Sequence, residues 1–170
     1  MVVELMFKLE QREEFLKGSI AGIVGAIGKY GFNELTQFLG IAKYDNNATA
    51  ITVIMKNYEH NILFWLFGFM TALIIGAFFG VVISFMYTYI FSQKKIYLKA
   101  AGIGVGIWLV NFGIFSRIFY YPPDIKFLLG DVVSMLFSLI IYAVITVFIL
   151  MKMGFFNPGF EKKVLKRRLD

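Results

Sequence analysis

Residues 62–91 read ILFWLFGFMTALIIGAFFGVVISFMYTYIF, thirty positions without a charged side chain. At ~1.5 Å per residue a helix over that stretch is ~45 Å long, more than the ~30 Å hydrocarbon core of a bilayer. The stretch therefore predicts a membrane-spanning helix that is tilted or protrudes. Every fourth position on it is small: Gly68, Ala72, Gly76, Gly80, Ser84 and Thr88. Small residues on one face let a neighbouring backbone come close, which is how helices associate where lipid removes the hydrophobic drive. Four residues overshoot one turn, so the stripe drifts ~40° per step and cannot face a single straight partner throughout. One neighbour below and another above would use it fully. Packing within the chain and a homo-oligomer interface both remain open.

The surrounding composition fits lipid. The 170 residues are 59% hydrophobic and only 16% charged, with a mean hydropathy of +0.73. A soluble domain carries about 25% charge and about 45–50% apolar residues. The length suits one membrane domain, residues 1–170. No cysteine is present, which excludes disulfides, thiolate metal sites and cysteine nucleophiles. The opening does not read as a cleavable signal, because Glu4, Glu10, Glu13 and Glu14 precede the first apolar run.

Upstream of the central stretch, residues 1–15 read as a short amphipathic surface helix, with Val2, Leu5, Met6 and Leu9 near one face. Residues 16–39 form the first expected span. Its first half is small (Gly18, Ala21, Gly22, Gly25, Ala26, Gly28) and its second half polar (Lys29, Asn33, Glu34, Thr36, Gln37). At 100° per residue, Gly18, Gly22, Gly25, Lys29, Asn33 and Thr36 share a sector of about 80°, and Glu34 points the other way. The close-packing face thus continues into a polar face. Between the first two spans, Ala48–Met55 is apolar but too short to cross, which predicts an interfacial or re-entrant helix with Asn47 as its N-cap.

Downstream, a third span is expected over 98–119, with Gly102, Gly106, Gly113 and Arg117 on one face and Asn111 on the opposite one. Tyr120-Tyr121-Pro122-Pro123 ends it. The fourth span, 126–153, carries a polar stripe of Asp131, Ser134, Ser138, Tyr142 and Thr146, and Asn157-Pro158-Gly159 is expected to stop it. Residues 154–170 form a basic tail suited to anionic lipid rather than nucleic acid. The fold class is all-α integral membrane, a four-transmembrane-helix bundle. Twelve Lys and Arg residues fall in the N-terminal segment, the turn at 93–97 with Lys99, and the tail; Lys43, Lys56 and Lys126 fall on the other side. Positive charge stays inside, so a multi-pass protein of the cell membrane with both termini cytoplasmic is expected.

Depth counted from Lys17 and Lys99 places Lys29, Asn33, Asn111, Arg117, Asp131 and Ser134 in the outer half. They form a candidate polar pocket above an inner half of glycines and aliphatics. A charge at mid-membrane costs ~2.5–3.5 kcal/mol, so Lys29 needs a partner, water or neutrality, and Asp131 and Glu34 are the candidate partners. The cluster reads either as an outward-facing pocket or as a buried polar lock that fixes helix register. Gly68, Ala72, Gly76, Gly80, Ser84, Gly102 and Gly106 are the candidate helix-packing residues. Enzyme signatures are missing: His60 is the sole histidine, and HExxH, GxSxG and P-loop motifs are absent. No catalytic residue, metal site or cofactor is expected.

Two segments carry a resemblance: Lys17-Gly18-Ser19-Ile20-Ala21-Gly22-Ile23-Val24-Gly25 and Lys99-Ala100-Ala101-Gly102-Ile103-Gly104-Val105-Gly106-Ile107-Trp108. With the glycine-striped second span and the long first loop, the chain resembles a loose group of uncharacterised small four-span membrane proteins of Gram-positive bacteria. That group implies no activity. The two segments also echo each other, each opening a span with a lysine and glycines four apart. The sequence points to a structural or accessory integral membrane protein, self-associating or part of a larger membrane complex. The alternative is a small transporter or channel with an outward-facing pocket around Lys29.

Overall fold

The computed structural model describes residues 2–43, 46–51, 54, 61–92, 94–115 and 128–156. Among them all regular structure is helical. Helix α1 is Val2–Phe38, α2 is Asn46–Ile51, α3 is Ile62–Tyr89, α4 is Ile96–Val110 followed by a π-helical turn Asn111–Phe115, and α5 is Leu129–Lys152. Arg117, Lys126, His60 and the basic tail from residue 157 lie outside the described residues.

Three helical stretches are long and apolar enough to cross a membrane: Ile62–Tyr89, Ile96–Ile114 and Leu129–Lys152. The expected first span lies instead within one 37-residue helix that absorbs the predicted surface segment. Its glycines contribute no apolar side chain, and Lys17, Lys29 and Glu34 lower its hydropathy further. What α1 offers is close packing rather than apolar surface.

The contacts give the register. Cβ atoms built on Gly18 and Gly22 would meet Ser84, Val81, Gly80 and Gly76, so α1 and α3 run antiparallel. A Cβ at Gly25 would meet Tyr142 and Thr146, and Thr36 meets Ser134, so α1 and α5 are antiparallel as well. A Cβ on Gly104 would meet Leu139 and Ile140 of α5. The order in space is α3, α1, α5, α4, with α1 and α5 central. The drifting stripe on α3 serves two neighbours: Gly76, Gly80 and Ser84 lie against α1, and Gly68 lies against Asn47 of α2. At the end of the bundle where the turn between α3 and α4 lies, Ile83, Tyr87, Ala100, Leu150 and Phe155 form an apolar cluster, and the Tyr87 hydroxyl donates to Ile96 O at 2.7 Å.

Helix ends differ from expectation in two places. Helix α5 stops at Lys152, ahead of Asn157-Pro158-Gly159, because Gly154 adopts φ 68°. The Gly154 N–H donates to Met151 O at 3.1 Å and the Phe155 N–H to Leu150 O at 3.0 Å, the paired bonds of a Schellman cap. Gly40, at φ 70°, ends α1 in the same way through Thr36 O and Gln37 O. Asn47 is not an N-cap. It lies inside α2, and its amide donates across to the Tyr30 hydroxyl at 2.9 Å. The observed N-cap is Asn61, whose side chain accepts the Phe64 N–H at 2.9 Å at the start of α3.

Candidate functional site

The polar stripe of α5 and the polar face of α1 meet to form a seam. Asn33 and Ser138 are fully buried, and Thr36, Ser134 and Asp131 nearly so. The Thr36 hydroxyl donates to Asn33 O at 2.9 Å, which uses its one proton. Its 2.9 Å contact with Ser134 must then have Ser134 as donor. That chain ties α5 to α1. Other hydroxyls along the seam return to their own helices: Ser138 to Met135 O at 2.9 Å and Thr146 to Tyr142 O at 2.8 Å. The Tyr142 hydroxyl donates to Gly76 O at 2.7 Å and so joins α5 to α3. At the far end Asp131 occupies the first turn of α5, where the helix dipole favours a carboxylate, and accepts the Lys43 backbone N–H at 2.6 Å.

The seam has two unlike halves. Below Lys29, Gly22 is pressed against Gly76 and Gly80, and Gly25 against Tyr142 and Thr146. A side chain at either glycine would overlap backbone or buried hydroxyl atoms, so this half is closed. Above Lys29 the lining is polar: Asn33, Thr36, Ser134 and Asp131. At 100° per residue Lys29 falls between Gly22 and Gly25 on α1, on the face that packs against α3 and α5. It is nevertheless only partly buried. Glu34 is exposed on the opposite side.

The predicted pocket residues do not all converge. Lys29 is level with Ser138–Tyr142, because Gly25 pairs with Tyr142 and Thr146 and Thr36 with Ser134. Asp131 is then about nine residues farther along α5, or ~14 Å at 1.5 Å per residue. A lysine side chain cannot cover that distance, so Asp131 is not the ion-pair partner proposed for Lys29. Asn111 belongs to the π turn beyond α4, which packs on α5 rather than on α1, and its N–H is shared between Ile107 O and Trp108 O. It lies past the Trp108 contact with Val132 O (3.3 Å), toward the Asp131 end of the bundle. The equal depth expected for Asn111 and Lys29 does not hold, because α4 is displaced along the bundle relative to α1.

The packing glycines also divide. Gly68, Gly76, Gly80 and Ser84 are buried in helix contacts, while Ala72 is partly buried beside them. Among the described residues, Gly102, Gly106 and Gly113 have no atom within 4 Å of a built Cβ. Gly104, on another side of α4, is the glycine that packs. Sequence reasoning singled out the glycines four apart, and the packing one interrupts that pattern.

No protein-family model, curated protein or solved structure matches the chain.

Proposed function

We propose that the chain is a four-span integral membrane protein, both termini cytoplasmic, serving as a structural or accessory component of a membrane assembly. The fourth span in this reading is the part of α1 that follows residue 16. What supports it is register: α1 lies between two helices apolar enough to cross a membrane and contacts one from Gly18 to Ala26 and the other from Gly25 to Thr36. Helix α2 then sits at the outer end, between spans one and two.

The observation that carries the assembly role is the unused glycine face of α4. The echo between residues 17–22 and 99–106 gives the two helices similar faces. Gly18 and Gly22 on α1 are filled by α3, whereas Gly102 and Gly106 on α4 are met by nothing among the described residues. A close-packing surface that the described residues leave uncovered suits another helix, from a second copy or from a larger complex. The polar seam is consistent with a structural role, since its hydroxyls bond to their own or neighbouring backbones and fix helix register.

Cross-linking tests this reading. Gly106→Cys, in a chain that otherwise lacks cysteine, should give covalently linked copies in the native membrane, and Gly102→Leu should reduce the size of the complex in mild detergent. A chain that stays monomeric and whose size is unmoved by Gly102→Leu would exclude self-association through α4.

A further inference from the structure

The turn between α3 and α4 gathers positive charge without a counter-charge. Lys94 and Lys95 are exposed on it. Lys99, in the first turn of α4, folds back onto it. Its Nζ donates to Ser92 O at 2.8 Å and to Ser92 Oγ at 2.7 Å, and lies 5.9 Å from the centre of the Phe91 ring. Three ammonium groups are thereby held at one short, exposed turn. Among the described residues no carboxylate pairs with any of them, and the first turn of α4 contains no acidic residue. Like charges repel, so the cluster calls for an anion.

The neighbours of the turn say which anion. Tyr89 ends α3 and Tyr97 lies in the first turn of α4, and both are exposed. Tyrosine belongs at the level of lipid headgroups, where its ring is apolar and its hydroxyl wet. Ile90 and Leu98 beside them are more than half exposed. The turn thus presents apolar side chains, then amphipathic rings, then ammonium groups. A phospholipid presents acyl chain, glycerol and phosphate in the same order. We infer that this turn binds an anionic phospholipid, whose phosphate sits on Lys94, Lys95 and Lys99. Each ammonium has three donors, of which Lys99 uses two on Ser92. Charge selects the lipid, because a zwitterionic headgroup brings its own cation to the cluster and an anionic one does not. The site rests on α3 and α4 crossing a bilayer, for which both are long and apolar enough, and not on the assembly role of α4.

The test uses the full-length chain in a neutral detergent. Unfolding is followed by the fluorescence of Trp65 and Trp108 during titration with phosphatidylglycerol, with phosphatidylcholine of the same acyl chains, or with inorganic phosphate. Phosphatidylglycerol should raise Tm saturably, by on the order of a few degrees, because a ligand that binds only the folded state stabilises it, and neither of the others should match it. A lysine near an anionic lipid surface is worth about fivefold in affinity, so the double change Lys94→Gln with Lys95→Gln should weaken half-saturation by about thirtyfold. Both side chains are exposed, so this variant should melt like the parent in detergent alone. Lys94→Arg with Lys95→Arg should keep the parent's half-saturation. Retention of phosphatidylglycerol over phosphatidylcholine by the unmodified protein, purified from mixed micelles and read by mass spectrometry, needs no variant. Equal effects of the two lipids, an effect reproduced by inorganic phosphate, no preferential retention, or a half-saturation unmoved in the glutamine variant, whose basic tail is intact, would each overturn the assignment. Loss of cross-linking at Gly106 with a preserved phosphatidylglycerol effect would remove the assembly role alone.

Discussion

Placing a methyl group at Gly22 probes the central helix contact most sharply. In Gly22→Ala the new Cβ would overlap Gly76 O and lie 2.8 Å from the Gly80 Cα. Both are backbone atoms, so no rotamer change relieves the clash. Ordinary carbon contacts are ~3.5–4.0 Å, so α1 and α3 must move apart by about 1 Å. That movement also stretches the Tyr142 bond to Gly76 O, now 2.7 Å. Overpacking of this kind costs typically 1–3 kcal/mol, against which alanine regains about 0.8–1.0 kcal/mol of helix propensity. With two backbone atoms in the way the cost falls in the upper part of that range, about 2–3 kcal/mol, which leaves a net loss of about 1–2 kcal/mol. Gly102→Ala supplies the control, since no described residue lies within 4 Å of its Cβ. It should leave the isolated chain unchanged or stabilise it by up to about 1 kcal/mol through propensity alone. Titration with denaturing detergent, read by tryptophan fluorescence, measures both. If Gly22→Ala unfolds at the same point as the parent, or if Gly102→Ala is the more damaging change, the helix order α3, α1, α5, α4 is wrong.

Two further changes test individual bonds. Gly154→Ala puts a Cβ on a residue at φ 68° and should cost about 1–2 kcal/mol in the same titration, with fraying confined to the last turn of α5 in hydrogen exchange. A Gly154→Asn variant, able to adopt the left-handed conformation, should recover part of the loss. Tyr142→Phe removes the hydroxyl bonded to Gly76 O and should cost about 0.6 kcal/mol, the average for an interhelical hydrogen bond in a membrane protein. A cost several times larger would mean that the hydroxyl holds more than this one carbonyl.

How far the sequence carries depends on which physical property each feature uses. The stripe on α3 was legible because helical geometry alone forces it to drift, and Gly68 and Gly76 indeed meet different neighbours. The junction of a small and a polar face on α1 was legible for the same reason. Occupancy was not. A glycine spacing says that close approach is allowed, and among the described residues nothing takes it up at Gly102 and Gly106. The chain ends of α1 and α5 turn on the sign of φ at Gly40 and Gly154, and among the glycines nothing local distinguished these two from those within the helices. Depth was misjudged for Asn111 and Lys29 because counting residues from the nearest lysine assumes that helices start at one level. The pairing of Lys29 with Asp131 failed through the same assumption, since the seam's register separates them by ~14 Å.

In the proposed topology α1 crosses the membrane beside α3 and α5, despite its glycines and its partly buried lysine. Single cysteines at Glu13, Lys43 and Lys94, all exposed positions, test it in intact cells and in inverted membrane vesicles with an impermeant maleimide. Lys43→Cys should label in intact cells, and Glu13→Cys and Lys94→Cys only in inverted vesicles. Labelling of Glu13→Cys and Lys43→Cys from the same side would contradict it, because α1 would then lie on the membrane rather than through it.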